Sequence, residues 1–186
     1  MKLLFVSVML TSIALMPTPS LADRYARMFP ENVDINGAEL VRNGVSKLTV
    51  RLVFDVYVAA FYQEPGRGPN DVTGDYPKHL EIEYLRSISS RAFIDAGNDM
   101  LIAQHDKQTI ASIQSRIDTI NQWYQDVKKG DRYSLTYIPG IGTELKFNGE
   151  SKGIIPGEDF ARIYLTIWLG ENNPYKSFRD RLVGIP

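Results

Sequence analysis

The order of elements in this chain is strands, helices, strands, helices, which predicts an α+β domain: one large antiparallel sheet with helices layered on one face. Three observations carry that expectation. The strand connections are hairpins rather than strand–helix–strand crossovers, with turn signals at Pro139-Gly140 and Asn148-Gly149. The run Val53 to Tyr62 is apolar on both of its faces, as in a central strand covered on both sides. Two helix-period stretches lie together between strand runs, where an α/β crossover pattern would interleave them.

Asp23 to Gly37 reads as a polar lead-in broken by Pro30. Leu48-Thr49-Val50 and Val53 to Tyr62 are rich in Val, Phe and Tyr and read as two strands or one bent strand. Alternation puts Tyr57, Ala59 and Phe61 on one side of the second, and Val56, Val58, Ala60 and Tyr62 on the other. Glu64 to Tyr76 holds Pro65, Gly66, Gly68, Pro69 and Gly74 and reads as a loop. Lys78 to Leu85 alternates Leu80, Ile82 and Tyr84 with His79, Glu81 and Glu83, which predicts a half-buried strand with a wet side.

Ser89 or Ser90 caps the first helix, along which Phe93, Ala96, Met100 and Leu101 recur at helical spacing. Asp106 caps the second, whose stripe Ile110, Ile113, Ile117, Ile120, Tyr124 and Val127 predicts a helix up to Lys128-Lys129 and a Gly130 cap. Tyr133 to Ile138, Thr143 to Phe147 and a short run to Ile155 are strands. Pro156 then opens a third helix with the stripe Phe160, Ile163, Tyr164 and Ile167, ended by Gly170. Pro174 to Leu182 is a short final helix.

The first 22 residues have the order of a secretory signal peptide. Lys2 precedes an apolar run from Leu3 to Met16, and Ser20-Leu21-Ala22 is a small-x-small cleavage site. The run is shorter than the roughly 20 residues that span a bilayer as a helix. The expected product is a single domain, residues 23–186, in the periplasm or secreted, with no stable membrane span once the signal is removed. No Pro/Gly/Ser linker divides it.

The chain has no cysteine, so a disulfide framework, a thiol nucleophile and a cysteine zinc site are excluded. A net charge of −1 supplies no bulk attraction to nucleic acid or anionic lipid, and no nucleic-acid partner is expected. Oligomeric state is not legible.

Few constellations suggest chemistry. His79, Glu81 and Glu83 share a strand face, but a solvated face explains them better than a metal, with only His105 elsewhere to complete a site. Asp95 and Asp99 stand one helical turn apart, which a wet helix face explains better than an acid/base pair. Gly140-Ile141-Gly142 lacks the third glycine and the following helix of a dinucleotide fingerprint. No cofactor or metal is expected. Ten Tyr, eight Phe and two Trp are supply enough for both a core and an aromatic-lined cleft suited to a flat or long apolar ligand.

The C-terminal series Gly130-Asp131-Arg132-Tyr133, Tyr137-Ile138-Pro139-Gly140, Phe147-Asn148-Gly149, Ile155-Pro156-Gly157-Glu158-Asp159-Phe160 and Ile167-Trp168-Leu169-Gly170 resembles the chalcone isomerase-like family. Asp55 to Tyr62 resembles that family's central strand and Leu40 to Val45 its lead-in. The resemblance implies an open-faced β-sandwich with a ligand cleft between sheet and helices. It also allows the catalytic set to be placed by position. The family's arginine falls on Ser46 with Lys47 beside it, its threonine on Tyr57, its tyrosine on Arg91, its asparagine on Asn98 and its late-helix hydroxyl on Ile167. Lysine does not replace arginine's bidentate grip on an oxyanion, so most of the preorganised donors are missing.

The resemblance therefore implies, first, a non-catalytic binder of a small apolar or amphipathic ligand, fatty acid-like. Lys47 or Arg51 with Tyr57 would hold the head group, Phe61 and Ile167 the tail, and Asn98 would be a polar contact. The alternative is an intramolecular lyase of chalcone isomerase type using Tyr57 as acid/base and Asn98 as anchor. A purely structural or partner-binding role is the third reading.

Overall fold

The computed structural model describes residues 21–51 and 53–185. Of the segment read as a targeting signal, residues 1–22, the first 20 lie outside them. A short helix α1 (Leu21–Ala26) leads into seven strands: β1 (Asn32–Ile35), β2 (Ala38–Val50), β3 (Phe54–Gln63), β4 (Lys78–Tyr84), β5 (Arg132–Ile138), β6 (Gly142–Phe147) and β7 (Glu150–Ile155). They pair in chain order, every pair antiparallel, to form one curled meander. Between β4 and β5 stand α2 (Ser90–Gln104) and α3 (Lys107–Asn121). After β7 come α4 (Glu158–Tyr164), α5 (Thr166–Leu169) and α6 (Lys176–Leu182).

Strand alternation separates two cores. Ala59 and Phe61 of β3, Leu80 and Ile82 of β4 and Leu135 of β5 face the helix layer, where they meet Leu101, Ile113, Ile117, Phe160 and Leu169. Val58, Ala60 and Tyr62 face the other way and pack with Phe29 and Leu40. The lead-in is therefore not a loose polar segment. Residues 25–30 cover part of the second face, held by hydrogen bonds from Arg42 to the Ala26 carbonyl (2.7 Å), from Tyr62 to the Pro30 carbonyl (3.0 Å) and from Arg132 to the Met28 carbonyl (2.9 Å).

This cover changes the face of β4 expected to be wet. Arg132 bonds Glu81 at 2.9 Å and Glu83 through its Nε at 2.8 Å, and its guanidinium lies 5.1 Å from the Phe29 ring centre. His79 is buried, with Nδ1 2.8 Å from Thr136 Oγ1. Burial, helped by the nearby Lys146 charge, pushes its imidazole from the usual 6.5 down to about 4. The folded state thus disfavours the protonated ring. Stability from this group is complete above pH 6.5 and is lost as pH falls from 6.5 towards 4, by up to about 3 kcal/mol. Urea unfolding at pH 7 and pH 4.5 should show the loss in the wild type and a smaller one in His79→Gln; equal losses would discard the assignment.

Helix boundaries differ from the sequence expectation: the expected third helix divides at Leu165 into α4 and α5, the last helix starts at Lys176, and two further ends move. The second helix (α3) ends at Asn121, not near Val127. Val127 instead exchanges both backbone hydrogen bonds with Ile88 (3.1 and 3.0 Å), and the Gln125 N–H donates to the Tyr133 hydroxyl at 2.8 Å. Those partners offer the backbone an alternative to another helical turn. Gly130, at φ 91°, serves the Lys128–Asp131 turn into β5 rather than a helix cap. The third helix (α4) starts at Glu158 after Gly157, so Pro156 precedes it.

Candidate functional site

A cavity of about 200 Å³ lies between the sheet and the helix layer. Its floor is Leu48 of β2, Tyr57 of β3, Ile82 and Tyr84 of β4, Tyr133 and Leu135 of β5 and Leu145 of β6. Its roof comes from α2 (Ala92, Phe93, Ala96, Gly97, Asn98, Met100), from Tyr164, Ile167 and Trp168 of α4 and α5, and from Tyr175 and Phe178 at α6. Small residues on α2 keep the space open: a Cβ added at Gly97 would meet only Ile167 Cδ1, at 3.7 Å.

The aromatic rings brace one another edge to face. Tyr57 lies 5.9 Å from Tyr84 and 5.7 Å from Phe178, and Phe93 lies 4.9 Å from Tyr124. The Tyr124 and Tyr164 hydroxyls are 2.9 Å apart. Asn173 fixes the join of α5 and α6, donating to the Ile167 carbonyl at 2.9 Å and accepting from the Tyr175 N–H at 2.8 Å. Among the described residues lining the cavity there is no Asp, Glu, Lys, Arg or His. Burial holds the phenols of Tyr57, Tyr84, Tyr124 and Tyr164 far above their ordinary range. They stay protonated at neutral pH and offer neutral hydrogen bonds, not a base.

Tyr57, Asn98 and Ile167 line this one cavity. Phe61 lies deeper on β3, fully buried in the same core but outside the lining. Lys47 is elsewhere. It registers with Val58, so it faces away from the helix layer, where it pairs with Asp55 at 2.7 Å and lies 5.5 Å from the Tyr25 ring centre. Its neighbour Leu48, in register with Tyr57, takes the cavity position. Arg51 is exposed in the β2–β3 turn at φ 51°, one residue past the lining residue Val50. Ser46, matched by position to the family's arginine, is buried outside the lining with an unpartnered hydroxyl. Arg91 is exposed and 3.6 Å from Asp95.

The other constellations are structural. His105 Nε2 lies 2.8 Å from Thr166 Oγ1, and Gln104 donates to the Thr166 carbonyl at 2.9 Å, so the end of α2 is tied to α5. No group of three or more potential metal ligands occurs among the described residues. Tyr84, Tyr164, Trp168 and Phe178 are lining residues that sequence reasoning did not single out. Their apolar periodicity is legible, but it does not tell a cavity wall from solid core.

The family model described as chalcone isomerase-like matches residues 26–184. Comparison with curated proteins finds no match. Among solved structures, the chain is similar to the crystal structure of an Arabidopsis thaliana fatty-acid binding protein, at 14% identity and a TM-score of 0.61, covering 84% of this chain and 91% of that one.

Proposed function

The chain belongs to the chalcone isomerase-like family, and we propose that within it this member is a non-catalytic binder that holds one small apolar or amphipathic molecule between sheet and helices. The observation that carries the reading is the cavity itself: apolar and tyrosine side chains with no charged group among the described lining residues. Such a wall suits an apolar body, and a buried carboxylate without a cation would be costly there. For a fatty acid-like ligand, the class that the similar plant protein binds, the tail lies against Ile167 and Phe93, with Tyr57 and Asn98 as neutral polar contacts. Phe61 backs the wall. The head group then belongs at the mouth near Arg51, while Lys47 is committed to Asp55.

We also propose export, with the signal removed after Ala22 and residues 23–186 acting in the periplasm or outside the cell. N-terminal sequencing of protein from an exported fraction should begin at Asp23. Mass spectrometry of an organic extract of the same protein tests the binder. A stoichiometric apolar molecule is expected, and an empty protein that also fails to take up a fluorescent fatty acid would overturn it.

One observation favours the lyase reading: Tyr57 and Asn98 share the cavity. The strongly raised phenol of Tyr57 makes it a donor rather than a base at neutral pH. No turnover of a chalcone is therefore expected. Turnover that disappears in Tyr57→Phe would reverse that conclusion.

A further inference from the structure

The β2–β3 hairpin ends in an apolar tip. Val53 is 72% exposed and Phe54 47% exposed. The residues just inside that tip, Val50 and Val56, line the cavity, as does Ile88 on the neighbouring segment. The apolar tip is therefore continuous with the cavity's lining. Exposed arginines flank it: the Arg86 guanidinium lies 5.3 Å from the Phe54 ring centre, and Arg51 stands in the turn. Arg51 adopts φ 51°, a left-handed conformation that glycine or asparagine would take at less cost. Asp55, next to the tip, is paired with Lys47 and also accepts from Thr49, each at 2.7 Å.

We propose that this hairpin tip, with Arg51 and Arg86, docks the protein onto an anionic lipid bilayer and sets the cavity mouth against it. The proposal rests on the reading of the cavity as an apolar-ligand site. Exposed valine and phenylalanine gain by entering the interfacial region, and arginines beside them meet lipid phosphates. Guanidinium stacked on an aromatic ring keeps its outer donors free for such a contact. A second copy of this chain suits the tip less well, because a two-fold contact would bring the same arginines together. An apolar ligand transferred at such a contact never has to cross water.

The test is co-flotation of protein from the exported fraction with vesicles of phosphatidylcholine alone or mixed with phosphatidylglycerol. The variants Val53→Ser/Phe54→Ser and Arg51→Gln/Arg86→Gln are compared with the wild type on the same N-terminus, so any contribution from residues before the fold cancels. Wild type should float with the anionic vesicles at low salt and be partly released at high salt. Each double variant should reduce the floated fraction at least about threefold while keeping the wild-type Tm. All four positions are surface ones, so retained folding is expected. Absent flotation, or flotation that the variants leave unchanged, would overturn the proposal. So would a concentration-dependent dimer, seen by light scattering, that the apolar variant abolishes. Flotation by a protein whose extract holds no ligand would retain the docking surface and discard the binder reading; ligand without flotation would do the reverse.

Discussion

Gly44→Ala is expected to cost about 3 kcal/mol or more, at the upper end of what overpacking does. Gly44 sits on β2 where α6 crosses it, and a Cβ there would lie 1.9 Å from the Arg181 carbonyl oxygen and 2.9 Å from that of Leu182. Both obstacles are backbone, so no side-chain rotation relieves them; α6 must lift or β2 must bend. Leu182 and Val183 are fully buried at that contact, and Phe178 of α6 is the ring that braces Tyr57 in the cavity. The same substitution should therefore weaken ligand uptake as well as stability. Thermal and urea denaturation with a fluorescent fatty acid titration would check both. Wild-type stability in Gly44→Ala would mean that the close approach of β2 and α6 is not what seats the last helix.

Gly97→Leu is the substitution expected to separate binding from stability. Gly97 is helical and lines the cavity, and a Cβ there would sit in ordinary van der Waals contact with Ile167 Cδ1, at 3.7 Å. Gly97→Ala should be tolerated and should raise stability by up to about 1 kcal/mol, because alanine is the better helix former. Leucine extends the same change into the cavity volume. Ligand affinity should fall by at least about tenfold, the equivalent of 1.4 kcal/mol of lost contact, with Tm unchanged or raised. Calorimetric titration of an identified ligand into the three proteins would measure it. Undiminished affinity in Gly97→Leu would move the binding site out of the space between α2 and α5.

Much of the fold was legible because its signals are local. The alternation of Leu80, Ile82 and Tyr84 with His79, Glu81 and Glu83 assigns two faces to one strand, and Asn148-Gly149 marks a hairpin without reference to anything distant. The stripe through Ile113, Ile117 and Ile120 identifies the buried side of α3. Where the reading failed, carrying that helix past Asn121 to Lys128-Lys129, it did so because a strand bridge to Ile88 and a tyrosine hydroxyl competed for backbone groups that periodicity alone assigned to a helix. The polar face of β4 was misread for a similar reason: its cover, Phe29 and Met28, lies about 50 residues earlier in the chain.

The candidate site divides in the same way. Tyr57, Asn98 and Ile167 reach one cavity because each lies on the apolar side of its own element. Lys47 and Arg51 were both matched to a ligand's charge; inter-strand register turns Lys47 away from the lining, while Arg51 stands in the turn beyond it. One residue decides it, since Leu48 opposes Tyr57 and Lys47 must then face the other way.

By itself, the sequence determined the class of fold, the order of its strands and helices and the face that most residues present, because hydrophobic period and turn chemistry are properties of neighbouring residues. Tertiary structure alone decided that the helix layer leaves a cavity, that no charge lines it among the described residues, and that an apolar, arginine-flanked hairpin tip adjoins its lining. A cavity is space between surfaces brought together from distant parts of the chain, and its walls carry the same apolar signature as a filled core.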